Sequence, residues 1–207
     1  QVYKEVCASC HSMKLLSFRN LGEEGGPEFS ISEVKDIAAS YEVTDGPDSQ
    51  GEMFTRPGRP SDRFVSMYPN VEAATAANGG AYPPDMSVLV KSRKGGSNYI
   101  YSVLMGYEDP PKDFKLDDGV YYNKYMEGNK IKMSKPIIEG IVSYSDGTNA
   151  TEEQMAKDVT AFLTWAAEPH LEARHKMGLK VIIFLIILTI LVYFSMKRIW
   201  SRIDTEI

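Results

Sequence analysis

Cys7-Ala8-Ser9-Cys10-His11 is the stretch that decides how this chain is read. Two thiols three positions apart, with histidine directly after the second, suit thioether attachment of a haem through its two vinyl groups. The histidine is then delivered to one face of the iron. A redox-active dithiol also uses C-x-x-C, but it calls for a preceding strand and a βαβ context, and none is visible here. A structural zinc site needs further Cys or His ligands. The chain holds only these two cysteines, and its other histidines, His170 and His175, lie far along the sequence. No other disulfide framework is possible. The flanking Val6, Met13, Leu15 and Leu16 imply that the motif is packed rather than displayed.

The second decisive stretch lies at the other end. Val181–Met196 reads VIIFLIILTILVYFSM, with no charge and no helix breaker. Extended back to Met177 and interrupted only by Lys180, it provides about twenty helical residues, roughly 30 Å, the hydrocarbon thickness of a bilayer. Lys180 is placed to snorkel at one end, and Tyr193 and Trp200 suit the interface at the other. The stretch is apolar on every face, which argues against a core helix. Basic residues flank both ends: Arg174, Lys176 and Lys180 before, Lys197, Arg198 and Arg202 after. Charge alone therefore gives no orientation.

Between these landmarks the sequence predicts short helices joined by long irregular segments. Ser30-x-x-Glu33 is a capping box ahead of Ile31, Val34, Ile37, Ala38 and Tyr41. Asn70 caps an Ala-rich helix ending at Asn78-Gly79-Gly80. Asp85 is expected to cap a helix over Met86–Lys94, and Ser97 a turn or two closing at Gly106. Thr151-x-x-Gln154 opens the best-patterned helix, with Met155, Val159, Phe162, Leu163 and Ala166 on one stripe, running to Glu168-Pro169. Ile138–Tyr144 reads as a short strand. Asp45–Pro60 and Tyr107–Lys135 read as linking loops, long enough to imply that they wrap something large; a haem would supply the missing apolar core. The start Gln1–Val6 carries no apolar leader. With the motif only six residues in, the chain is expected to begin part-way into a domain.

Residues 1–170 hold 17 Lys/Arg against 25 Asp/Glu, a formal charge of −8, while residues 171–207 carry +3. An acidic domain excludes nucleic acid as a partner, since phosphates demand a basic surface. It suits a basic protein partner, with Glu23, Glu24, Asp45 and Asp48 as steering charges; the alternative reading is that the excess acid serves solubility alone. For the iron's second axial position a methionine is the better guess, because both remaining histidines follow the last domain helix. Met133 lies in an irregular loop restrained by Pro136, whereas Met105 and Met126 remain open as ligands or as core fillers.

The chain resembles the cytochrome c1 family along essentially its whole length. The resemblance is carried by Val6-Cys7-Ala8-Ser9-Cys10-His11-Ser12-Met13, Gly51-Glu52-Met53-Phe54-x-Arg56-Pro57-Gly58, Ala76-Ala77-Asn78 and Tyr82-Pro83-Pro84-Asp85-Met86-Ser87. It continues in Arg93-x-Gly95-Gly96, Met133-x-x-Pro136-Ile137, Asp146-Gly147-Thr148, Ala156-Lys157-Asp158-Val159, Trp165-Ala166-Ala167-Glu168-Pro169 and Arg174-x-x-Met177-Gly178-Leu179-Lys180.

The resemblance implies a mainly α, class I cytochrome c-like domain with long loops, plus one C-terminal transmembrane helix. It assigns residues 1–170 to the haem domain, 171–176 to a juxtamembrane linker, 177–197 to the membrane span and 198–207 to a tail. One covalently attached haem c would be held by Cys7 and Cys10, with His11 and Met133 as iron ligands. Arg93 would lie by a propionate, and Pro84 and Tyr99 would line the pocket. The implied role is electron transfer within the quinol–cytochrome c oxidoreductase complex, from the Rieske iron–sulfur protein to cytochrome c, with no acid–base catalysis by this chain. The implied partners are those two proteins, cytochrome b and the lipid bilayer, in a dimeric complex. The domain would face the bacterial periplasm or the mitochondrial intermembrane space, and the tail the cytoplasm or matrix. The alternative is a free-standing membrane-anchored c-type cytochrome serving another acceptor.

Overall fold

The computed structural model describes residues 1–203 and divides them into two units, one from Gln1 to Pro169 and one beginning at His170. The first contains five α-helices: α1 (Val2–Glu5), α2 (Ile31–Ala39), α3 (Val71–Ala77), α4 (Gly96–Met105) and α5 (Glu152–Ala167). Two small antiparallel ladders join them: β1 (Glu42–Asp45) with β2 (Phe54–Pro57), and β3 (Tyr121–Tyr122) with β4 (Lys130–Ile131). The mainly α architecture is the one expected.

The capping residues act where the sequence places them. Ser30 Oγ accepts from Glu33 N at 3.3 Å while Glu33 Oε2 accepts from Ser30 N at 2.8 Å, which closes the box at the start of α2. Asn70 caps α3 through Ala73 N, and Thr151 caps α5 through Gln154 N. The Gln154 side chain instead reaches forward to Asp158 Oδ1 at 2.8 Å.

The core forms where α5 packs against α4 and α1. Met155, Val159, Leu163 and Ala166 are buried as the stripe predicts, Ala156 joins them, and Phe162 stays half-buried at the edge. Phe18 links this core to an aromatic group, its ring centroid 4.5 Å from that of Phe64 and 5.0 Å from that of Tyr41. Tyr3 completes the group, 5.9 Å from Phe64 and 5.6 Å from Phe162. Edge-on and tilted contacts of this kind add to the burial of Phe18, Phe64 and Tyr3.

Several local expectations fail. Residues 86–94 form successive tight turns rather than a helix, with Leu89 N donating to Met86 O and Lys91 N to Val88 O. The chain there is committed elsewhere: Met86 N donates to Ser12 O at 2.8 Å, and β-branched Val88 and Val90 favour helix little. The cap of α4 is Gly95, at φ +92°, not Ser97; that left-handed residue turns the chain directly into ten helical residues. Ile138–Tyr144 is not a strand, because Gly140 at φ +74° bends it and donates to Ala150 O.

The Asp45–Pro60 stretch is not all loop: it contains β2, which pairs with β1 in a hairpin that mixed polarity concealed. Arg56 fastens it, reaching Asp45 through Nε and gripping Asp62 through Nη1 and Nη2 at 2.6 and 3.1 Å. A fork donor between two carboxylates stabilises strands too short and too exposed to rely on burial.

In the second unit α6 runs Leu171–Ile203, 33 residues and roughly 50 Å long. Residues 171–176, read as a linker, are its first turns, and residues 198–203 of the expected tail continue it; residues 204–207 of that tail lie outside the described residues. From Val181 to Trp200 its large apolar side chains are exposed, and it is long and apolar enough to cross a membrane. Thr189, the polar residue in the middle, donates its hydroxyl to Leu185 O at 2.7 Å, so no side-chain donor faces outward unsatisfied there.

Candidate haem-attachment site

Cys7–Ser9 form one tight helical turn, with Cys10 N and His11 N both donating to Cys7 O, at 3.2 and 2.9 Å. That turn brings positions 7 and 10 to one side, as attachment to two neighbouring vinyl groups requires. Both thiols are free, Cys7 buried and Cys10 half-buried. Burial, reinforced by the neighbouring Cys10, pushes the Cys7 thiol up to about 12. A nucleophilic dithiol needs the opposite shift.

His11 sits under firm control. Its Nδ1 lies 2.8 Å from Pro84 O, and a carbonyl can only accept, so Nδ1 carries the proton and Nε2 keeps its lone pair. Burial lowers the His11 pKa, opposed by Pro84 and Asp85, which favours the neutral ring that a metal needs. Tyr3 Oη donates to the His11 carbonyl at 3.3 Å and ties the motif to α1. Among the described residues no group of three or more His, Cys, Asp or Glu could hold a bare metal ion. A single presented imidazole beside two uncommitted thiols fits a haem, which brings its own four nitrogen ligands, and does not fit an isolated zinc.

The Pro84 carbonyl is held in place by Asp85, whose sequence position predicts only a helix cap. Asp85 Oδ2 accepts from Ser12 Oγ at 2.7 Å and from Lys14 N at 2.9 Å, while Oδ1 accepts from Ser87 N at 2.9 Å. Ser87 Oγ in turn accepts from Leu15 N at 3.0 Å. Residues 12–15 and 84–87 are thereby stapled side by side. The Asp-x-Ser turn was legible in the sequence; its partners 71 to 73 positions away were not.

The remaining predicted residues are distributed around the domain. Met133 is half-buried, two residues beyond β4, and Lys132 beside it donates to Gly79 O at 3.0 Å. Met126 has its sulfur engaged by Tyr99 Oη at 3.2 Å, and Met105 packs against the core at the end of α4. Arg93 is exposed, with Nη1 on Ser92 O and Oγ at 3.3 and 3.2 Å. Of the predicted set, the structure brings Pro84 directly to His11; Tyr99 and Arg93 take other partners. A narrow cleft opens beside Cys10, lined by Ser12, Tyr68, Ala74, Tyr82 and Pro83.

A helical domain with this motif turn and this histidine, followed by a long apolar helix, is a class I c-type cytochrome with a C-terminal helix fit to serve as an anchor. The model of the Cytochrome C1 family matches residues 1–203, and the chain belongs to that family. It is 50% identical over its full length to "Cytochrome c1-2, heme protein, mitochondrial" of Solanum tuberosum, covering 78% of that protein. It is 45% identical to "Cytochrome c1" of Rhodospirillum rubrum, with 98% of this chain and 79% of that one aligned. To "Cytochrome b/c1" of Bradyrhizobium diazoefficiens it is 47% identical over 97% of its own length but only 32% of the relative's. The chain thus spans about a third of that relative and 63% to 66% of several plant ones.

Proposed function

We propose that this chain carries one covalently attached haem c and serves as the electron-transfer subunit of a quinol–cytochrome c oxidoreductase, taking single electrons from a Rieske iron–sulfur protein and passing them to cytochrome c. The observation that carries the reading is the His11–Pro84 contact, which presents a neutral Nε2 beside two free thiols. Bound haem would supply a one-electron iron couple. Cys7 and Cys10 would fix it, His11 and Met133 would ligate it, Pro84 orients His11 and with Tyr99 would line its pocket, and Arg93 would serve a propionate. The Met133 assignment is supported by its irregular loop, given that Met126 is engaged by Tyr99 and Met105 belongs to the core. Arginine suits a propionate because its fork matches a carboxylate.

The chain's partners are then cytochrome b, the iron–sulfur protein, cytochrome c and the bilayer, in a dimeric complex. Residues 1–170 form the haem domain on the periplasmic or intermembrane-space side, 177–197 the span, and 198–207 the cytoplasmic or matrix tail. The acidic surface favours a basic acceptor.

The test is mild-detergent extraction of the native membrane protein. Haem that stays with the chain through denaturing electrophoresis, and is lost in the Cys7→Ala/Cys10→Ala variant, supports attachment. Co-elution with a b-type cytochrome supports the complex. A chain that releases its haem on denaturation, or elutes alone, overturns the corresponding half of the reading.

A further inference from the structure

Met133 is held by a network that nothing in its own loop supplies. Among the described residues, no backbone–backbone hydrogen bond outside the strands involves residues 133–137. Side chains restrain the loop instead. Lys132 Nζ reaches Gly79 O at 3.0 Å, and Lys135 Nζ reaches both oxygens of Glu152 at 2.7 Å, but these ammonium groups are exposed and such tethers are weak. The third tether differs: Tyr107 Oη donates to Met133 O at 3.0 Å from a half-buried position.

Tyr107 is itself fixed from behind. It follows Gly106 at the end of α4 and forms a β-bridge with Asn123. Asn123 is fully buried, at 0% exposure, and both polar atoms of its amide are hydrogen-bonded. Its Nδ2 donates to Val103 O at 2.7 Å, and its Oδ1 accepts from Tyr125 N at 3.1 Å. Lys124 N donates to Gly106 O at 3.0 Å. Gly106 admits no side chain, since a Cβ there would lie 2.6 Å from Asn123 Oδ1. A satisfied buried amide of this kind fixes one arrangement, because any other leaves its polar atoms unpaired. The β3–β4 ladder, with Tyr121 opposite Ile131, then delivers the chain to Met133.

We infer that Tyr107 is a positioning residue for the axial methionine: its hydroxyl, on a backbone bridged to Asn123, holds the Met133 carbonyl and so would keep the thioether in place for the iron. The inference rests on the assignment of Met133 as ligand. It predicts that loss of the hydroxyl loosens the ligand without disturbing attachment at Cys7 and Cys10.

The experiment compares the ferric holoprotein with Tyr107→Phe, Lys132→Ala and Met133→Leu. It reads the weak far-red absorption of a thioether–ferric iron pair and the rate at which cyanide enters the sixth position. Tyr107→Phe is expected to weaken the absorption and speed cyanide binding roughly fivefold, the factor one neutral hydrogen bond is worth. Lys132→Ala, removing an exposed tether, should change the rate less than about twofold. An unchanged absorption and rate in Tyr107→Phe overturn the positioning role. Absorption that survives in Met133→Leu overturns the ligand assignment itself, which separates the two failures.

Discussion

Asp85→Ala removes the acceptor of three hydrogen bonds at once, and the structure fixes what each is worth. Lys14 N lies at an exposed residue and can turn to water. Ser12 and Ser87 are buried, at 6% and 1% exposure, so their donors lose a partner with nothing to replace it. A hydrogen bond to a charged acceptor contributes about 1.5–3 kcal/mol. Taking the two buried donors at the lower end, because the carboxylate is only half-buried, the loss is about 3 kcal/mol. That is a large share of the 5–15 kcal/mol typical of a whole domain. Asp85→Asn keeps one acceptor oxygen and should lose about 1–2 kcal/mol. The assay is urea unfolding of the detergent-solubilised chain followed by near-ultraviolet circular dichroism, with the slope required to stay constant so that the midpoint reports stability. The staple also holds Pro84 O against His11, so the His11 Nδ1 proton should exchange faster with solvent in the alanine variant. A loss below about 1 kcal/mol with unchanged exchange would refute the staple as the support of His11.

Two further outcomes follow from the packing and the charges. Phe18→Ala, at a fully buried ring 4.5 Å from Phe64, should cost about 3–5 kcal/mol, measured as a fall in the urea midpoint. Asp45 and Asp62 are held below the usual carboxylate range, chiefly by their hydrogen bonds to Arg56. A depressed folded pKa contributes stability above the unfolded value of about 3.9 and loses it as pH falls through the folded one. Amide protection in β1 and β2 should therefore drop below about pH 4 in the native protein, and Arg56→Gln should flatten that dependence.

What could be read from the residues alone was what local geometry dictates. Two thiols three apart, followed by histidine, need only one helical turn to form a haem-attachment unit, and that turn is present at Cys7–Ser9. An uninterrupted apolar run from Val181 to Met196 makes a long apolar helix whatever surrounds it, because its own backbone bonds satisfy every polar group. Ser30, Asn70 and Thr151 cap their helices through neighbours three residues away, so their signals survive without tertiary context. The same local reasoning misled at Met86–Lys94 and Ile138–Tyr144, where a distant partner or a left-handed glycine overrides the pattern. The tertiary structure alone decided which carbonyl faces His11, which carboxylate holds that carbonyl, and which hydroxyl restrains Met133. Those contacts join residues 73 and 26 positions apart, and no sequence window contains both ends. The sequence thus determined a c-type haem motif and a helix long and apolar enough to cross a membrane; only the packed fold decided how His11 and Met133 are held, because the holding groups meet nowhere except in three dimensions.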